Sequence, residues 1–130
     1  MSVDSTRDVV MRYVNSNHAD LSVMAPDVVF SHMATGDEHR GVEAVKGMLH
    51  FIYHVAFEAR AEGRNMVFAD GQAVLEADFV GKHIGEFAGV PATGKDVRIP
   101  ICVVYDLEQD KIKRGRVYFE LPVFFKQVGR

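Results

Sequence analysis

Residues 72–120 read QAVLEADFVGKHIGEF, AGVPATGKD, VRIPICVVYDL, EQDK and IKRGRVYFE. The pattern predicts three long antiparallel strands separated by two loops. Successive strand side chains point to opposite faces. From Ala73, one row carries Ala73, Leu75, Ala77, Phe79, Gly81, His83, Gly85 and Phe87, and the other Val74, Glu76, Asp78, Val80, Lys82, Ile84 and Glu86. The first row is apolar apart from His83 and the second largely charged, as in a sheet with one buried face.

The next strand is apolar on both faces. Val97, Ile99, Ile101, Val103, Tyr105 and Leu107 form one row, and Arg98, Pro100, Cys102, Val104 and Asp106 the other. Such a strand predicts a core on one side and a partner subunit on the other. In the last strand Ile112, Arg114, Arg116, Tyr118 and Glu120 share a face, which is expected to point inward. A single bulge would reverse that facing.

Working outward, Asp70-Gly71 between two alternating segments is a hairpin signal. It extends the meander to FEARAEGRNMVFA (57–69). Ser5 with Asp8 resembles a capping box opening a helix that carries Val10, Tyr13 and Val14 and ends near Asn17. A short helical piece precedes Pro26, followed by a strand, DVVFSHM, with Val28, Phe30 and His32 on one face. Val42, Val45, Leu49 and Ile52 keep helical spacing. The C-terminal LPVFFKQVG is expected as a short helical turn or a tail across the sheet. Helices grouped against a strand meander give an α+β class. A strongly curved sheet with helices on its concave side forms a cone whose open end is a ligand site.

Composition bounds the function. The chain has 130 residues, 48% hydrophobic and 25% charged, with a net charge of -3. That suits one domain over 1–130. No Lys/Arg cluster reaches the density of a nucleic-acid footprint. No apolar run is long enough to cross a membrane. The N-terminal MSVDSTRDVV lacks a signal-peptide core. The single Cys102 precludes an internal disulfide and fits a reducing, cytoplasmic setting.

Two motif-like stretches do not carry chemistry. His50 and His54 lie four apart on one helix face, but HFIYH lacks the glutamate of a zinc-protease HExxH. GVPATGKD (89–96) imitates a phosphate loop, but Asp96 stands where Ser or Thr must hold magnesium, and a strand follows. No metal and no cofactor is expected.

The run HIGEFAGVPATGK (83–95), the turn before Lys111-Ile112, and the ending RVYFE…FFKQVG resemble the SnoaL-like polyketide cyclases of the nuclear transport factor 2-like superfamily. The resemblance implies a cone-shaped α+β fold, an apolar pocket and a homodimer. It also implies a general acid/base carboxylate near the end of the last strand, where this chain has Glu120. His83 matches the family's histidine before the glycine-containing loop. A base beside a carbonyl and a donor for the developing oxyanion suit enolisation or aldol-type cyclisation. Glu120 and His83 are therefore the expected catalytic pair, with Arg116, Tyr118, His32, Phe79 and Phe30 as substrate-binding residues around a small apolar molecule. The alternatives are a non-catalytic binding module, with Glu120 neutralised by Arg116, and a dimeric interaction domain whose cone is packed shut.

Overall fold

The computed structural model describes residues 1–129. Helix α1 (Val3–Asn15) leads through a 3₁₀ turn (Leu21–Val23) to β1 (Met24–His32) and the short β2 (Glu38–Arg40). Helix α2 (Val42–His50) runs on into a π-helical turn (Phe51–Val55). Strands β3 (Phe57–Ala69), β4 (Gln72–His83), β5 (Asp96–Glu108) and β6 (Lys111–Phe119) follow, then α3 (Leu121–Gln127). The six strands form one curled sheet in the order β2-β1-β6-β5-β4-β3. Among the described residues only the β1–β6 pairing is parallel. The α+β architecture with a meander from β3 to β6 is the one expected. Among the described residues no helix is long and apolar enough to cross a membrane.

The concave face holds the core. Ala73, Leu75, Ala77 and Phe79 of β4 are buried on it, with all six residues of the Val97–Leu107 row of β5. Cross-strand register aligns them in rows: Leu75 opposes Val103, which opposes Val117, and Val117 opposes His32.

Local corrections have physical causes. Ser2, not Ser5, is the N-cap of α1, and Ser2 and Ser5 exchange the reciprocal capping bonds. The helix stops at Asn15 because Asn17 and His18 adopt left-handed backbone, φ 56 and 63. Strand β4 ends at His83 rather than Phe87. There the Ile84 and Gly85 N–H groups both turn to donate to the Ala56 carbonyl, at 3.0 and 2.9 Å, and leave the ladder.

The facing of the last strand is the main correction. Asp106 pairs with Arg114, but Leu107 pairs with Ile112, so Lys113 is an extra, bulged residue. A bulge of one residue reverses every side chain beyond it. Ile112 is buried, whereas Arg114 and Tyr118 are exposed and Gly115, Val117 and Phe119 face inward. A Cβ at Gly115 would sit 2.8 Å from the Phe30 ring, so any larger residue there would displace that ring.

Candidate active site

The concave side encloses a cavity of about 540 Å³. Its walls come from every layer: Tyr13 of α1, His18 of the following turn, Phe30 and His32 of β1, Tyr53 of the π-helical turn, Phe79 of β4, and Tyr105 of β5. The strand residues arrive by the period of two. Tyr53 arrives because the π turn, closed by the Ala56 N–H donating to the Phe51 carbonyl at 2.8 Å, shifts the side-chain phase of α2. A shallower vestibule shares Thr35, Asp37, Phe51, Phe87 and Leu121 with this cavity and adds Glu86. Among the described residues neither lining contains a lysine or arginine.

One polar cluster stands beside the vestibule. The His32 and His39 rings lie 5.4 Å apart and nearly perpendicular. The His32 backbone N–H donates to the Asp37 backbone carbonyl at 2.8 Å, which holds the 33–36 turn against the strand. Burial, then the neighbouring His39, pushes the His32 imidazole below its ordinary pKa, while Asp37 pulls the other way. The neutral, proton-accepting form is therefore favoured at neutral pH.

The second cluster is deeper. The His18 ring stacks on Tyr53, centroids 5.2 Å apart, and meets Tyr13 edge-on at 5.0 Å. Tyr13 in turn meets Tyr105 at 6.1 Å. Burial lowers His18 to about 4 and raises Tyr53 to about 12. It also raises Tyr13 and Tyr105, whose neighbouring tyrosines add to the effect. All four groups are thus uncharged at neutral pH.

His18 gives a pH prediction. Its folded-state pKa is depressed, so between about 6.5 and about 4 the unfolded chain binds a proton that the folded chain refuses. Stability is expected to fall as pH drops through that window, by roughly 3 kcal/mol in all. Urea melts at pH 7, 5.5 and 4.5 read the slope. His18→Phe should flatten it, and an unchanged slope in that variant would assign the loss to other groups.

The expected catalytic pair is not in the cavity. His83 points inward but is wholly buried, packed 5.2 Å from both Phe57 and Phe124. The Thr93 N–H donates to its Nδ1 at 3.4 Å, and Thr93 Oγ1 lies 3.0 Å from the same atom. The Lys95 N–H donates to that hydroxyl oxygen at 3.3 Å, leaving the hydroxyl proton for Nδ1. This network assigns the ring proton to Nε2, which among the described residues has no hydrogen-bond partner. His83 latches the 84–95 loop to β4 and is absent from the cavity lining.

Glu120 is exposed at the N-cap of α3, where its carbonyl accepts from the Val123 and Phe124 N–H groups. Arg116 pairs with Asp106 on the outer face, not with Glu120, and Tyr118 is 42% exposed. The bulge at Lys113 places this row outside. His32, Phe79 and Phe30 do line the cavity. Sequence reasoning passed over Tyr13, His18, His39, Tyr53 and Tyr105. Tyr13 and Tyr105 did carry a signal, since each sat on an apolar row. His18 and Tyr53 carried none, because a left-handed turn and a π turn decide their directions. Among the described residues no three His, Cys, Asp or Glu side chains converge as a metal site.

The model of the SnoaL-like polyketide cyclase family matches residues 8–128. The chain belongs to that family. A candidate SnoaL-like polyketide cyclase from Jannaschia sp. CCS1 superposes on this SnoaL-like chain with a TM-score of 0.85 at 16% identity, covering 96% of this chain and 92% of that one. A candidate polyketide cyclase from Xanthomonas campestris pv. campestris gives 0.84 at 19% identity, covering 97% and 98%. A Catenulispora acidiphila protein of ketosteroid isomerase-like fold, solved with trimethylamine, gives 0.74 at 16% identity, covering 94% and 92%. At these identities the likeness concerns the fold, which in the SnoaL-like chain is the cone described above. No curated protein matches the sequence.

Proposed function

We propose that the chain is a cofactor-independent acid–base enzyme of cyclase or isomerase type, acting on an apolar, carbonyl-bearing ring compound held in the cone. The observation that carries this is the open apolar cavity with the neutral His32 imidazole in its wall. His32 is assigned as the base. It takes the proton from the carbon beside the carbonyl, the electron pair passes to the carbonyl oxygen, and His32 returns the proton to carbon or to a neighbouring oxygen. Burial in the wall keeps the imidazole in the form that can take this proton. The edge-on His39 ring packs against the imidazole, and Phe30 and Phe79 give the substrate its apolar bed. Glu120 and His83 have no part in this assignment.

The test uses 2-tetralone, a small cyclic ketone with exchangeable protons beside its carbonyl. Wild-type protein in D₂O is expected to accelerate deuterium incorporation at that carbon, followed by proton NMR. Exchange at the buffer rate would sink the enzyme reading. If 2-tetralone still binds, a non-catalytic small-ligand module of the same fold would replace it.

The same reading includes a homodimer through the outer sheet face. There Val67 is 55% exposed, and Val74, Cys102 and Val104 extend the apolar strip across adjacent strands. Ion pairs flank it, Arg116 with Asp106 on one side and Arg64 and Arg98 with Asp78 on the other. Val104→Asp places a charge in this strip and is expected to shift sedimentation equilibrium toward the monomer mass. An unchanged mass would place the contact elsewhere.

A further inference from the structure

We propose that the deep wall of the cavity is an uncharged hydrogen-bonding pole, made by the Tyr13 and Tyr105 hydroxyls, that selects a neutral oxygen on the ligand and rejects anions. The inference rests on the proposed use of the cavity as the substrate site. It adds the chemical class of the substrate: a neutral ring compound with an oxygen at its leading end, such as a ketone, phenol or quinone.

Tyr13 and Tyr105 are each 1% exposed and both line the cavity. Among the described residues neither hydroxyl hydrogen-bonds a protein group. The only buried side-chain polar atom sealed off without a partner among the described residues is His83 Nε2. The two tyrosine hydroxyls therefore open on the cavity, where a ligand oxygen can meet them. Each hydroxyl can donate to a ligand oxygen brought within reach. The rings are held in place by the edge-on Tyr13–Tyr105 contact and by His18 packed against Tyr13.

Charge decides the rest. A carboxylate or phosphate drawn into this cavity would lose its hydration and find no lysine or arginine among the described residues of the walls. Its approach would also pass Asp37 and Glu86 in the vestibule, which repel it. The tyrosines cannot supply the missing charge, being neutral donors. A carbonyl or phenol oxygen needs only the hydrogen bonds that they offer.

Equilibrium dialysis at pH 7 with 2-naphthol, naphthalene and 2-naphthoate tests the pole without any need for turnover. Wild type is expected to bind 2-naphthol about tenfold more tightly than naphthalene, the discrimination that a hydrogen bond at a buried site supplies. Binding of 2-naphthoate should be immeasurable. In the Tyr13→Phe/Tyr105→Phe double variant the naphthol preference should disappear while naphthalene binding persists, which shows that the cavity is intact. If the double variant loses naphthalene as well, the single Tyr105→Phe variant, which removes one hydroxyl, should show a reduced preference. A preference unchanged by removal of the hydroxyls, or 2-naphthoate bound as tightly as 2-naphthol, would overturn the pole alone. Binding of none of the three by wild type would instead overturn the cavity as a substrate site, and the pole with it.

Discussion

His32→Ala is expected to slow deuterium exchange into 2-tetralone by about 10²- to 10⁴-fold, the range supplied by a positioned general base. The expectation follows from three features that coincide only at this residue. His32 lines the cavity. Burial and the nearby His39 hold its pKa below the ordinary histidine value, so the base form is populated at neutral pH. The ring is fixed by a strand paired on both sides, to β2 and to β6. His32→Gln keeps much of the bulk and a polar end but no titrating nitrogen, so it should lose nearly as much rate. Most of the loss should appear in kcat, because the apolar walls that hold the ketone are untouched. Glu120→Gln is the contrasting variant. That carboxylate is exposed at a helix N-cap outside the cavity, so exchange should proceed at the wild-type rate. A large loss in Glu120→Gln with little in His32→Ala would reverse the assignment.

Phe57→Ala is expected to cost about 3–5 kcal/mol of folding stability, the usual loss when a fully buried phenylalanine is truncated. Phe57 is 0% exposed and sits at the centre of an aromatic cluster. Its ring centroid lies 5.0 Å from Phe79, 5.1 Å from Phe87, 5.2 Å from His83 and 5.7 Å from Phe124. The partners come from β4, the 84–95 loop and α3, so relaxation at one side strains another, and the void is not readily filled. At about 4 °C per kcal/mol for a chain of this size, the midpoint should drop by roughly 10–20 °C in a thermal melt. A loss below about 1 kcal/mol would mean that the cluster repacks freely, in conflict with its close packing.

The aromatic cluster also explains why the family resemblance pointed to His83. A histidine on an inward strand row, beside glycines and phenylalanines, has the sequence signature of a pocket residue and of a core residue alike. The two differ in what covers the ring. Here Phe57 and Phe124 cover it and Thr93 occupies Nδ1. Those contacts come from β3, α3 and the loop, more than twenty residues away in the first two cases.

The sheet itself was legible in the chain. Ala73 to Phe79 and Val97 to Leu107 alternate because strand side chains alternate, and both rows are buried on the concave side. His32, Phe30 and Phe79 were placed on inward faces by the same period and do line the cavity. Tertiary structure alone decided what that local pattern does not encode. The single extra residue at Lys113 turned Arg116, Tyr118 and the approach to Glu120 outward; the apolar phase of IKRGRVYFE does change, from Ile112 to Val117 and Phe119, but the pairing with β5 is what locates the slip. The left-handed turn at His18 and the π turn at Tyr53 brought those rings against Tyr13 and Tyr105. His32 and Tyr105 were thus brought into the cavity by the strand period that the sequence shows, whereas His18 and Tyr53 joined them through backbone irregularities that depend on contacts distant in the chain.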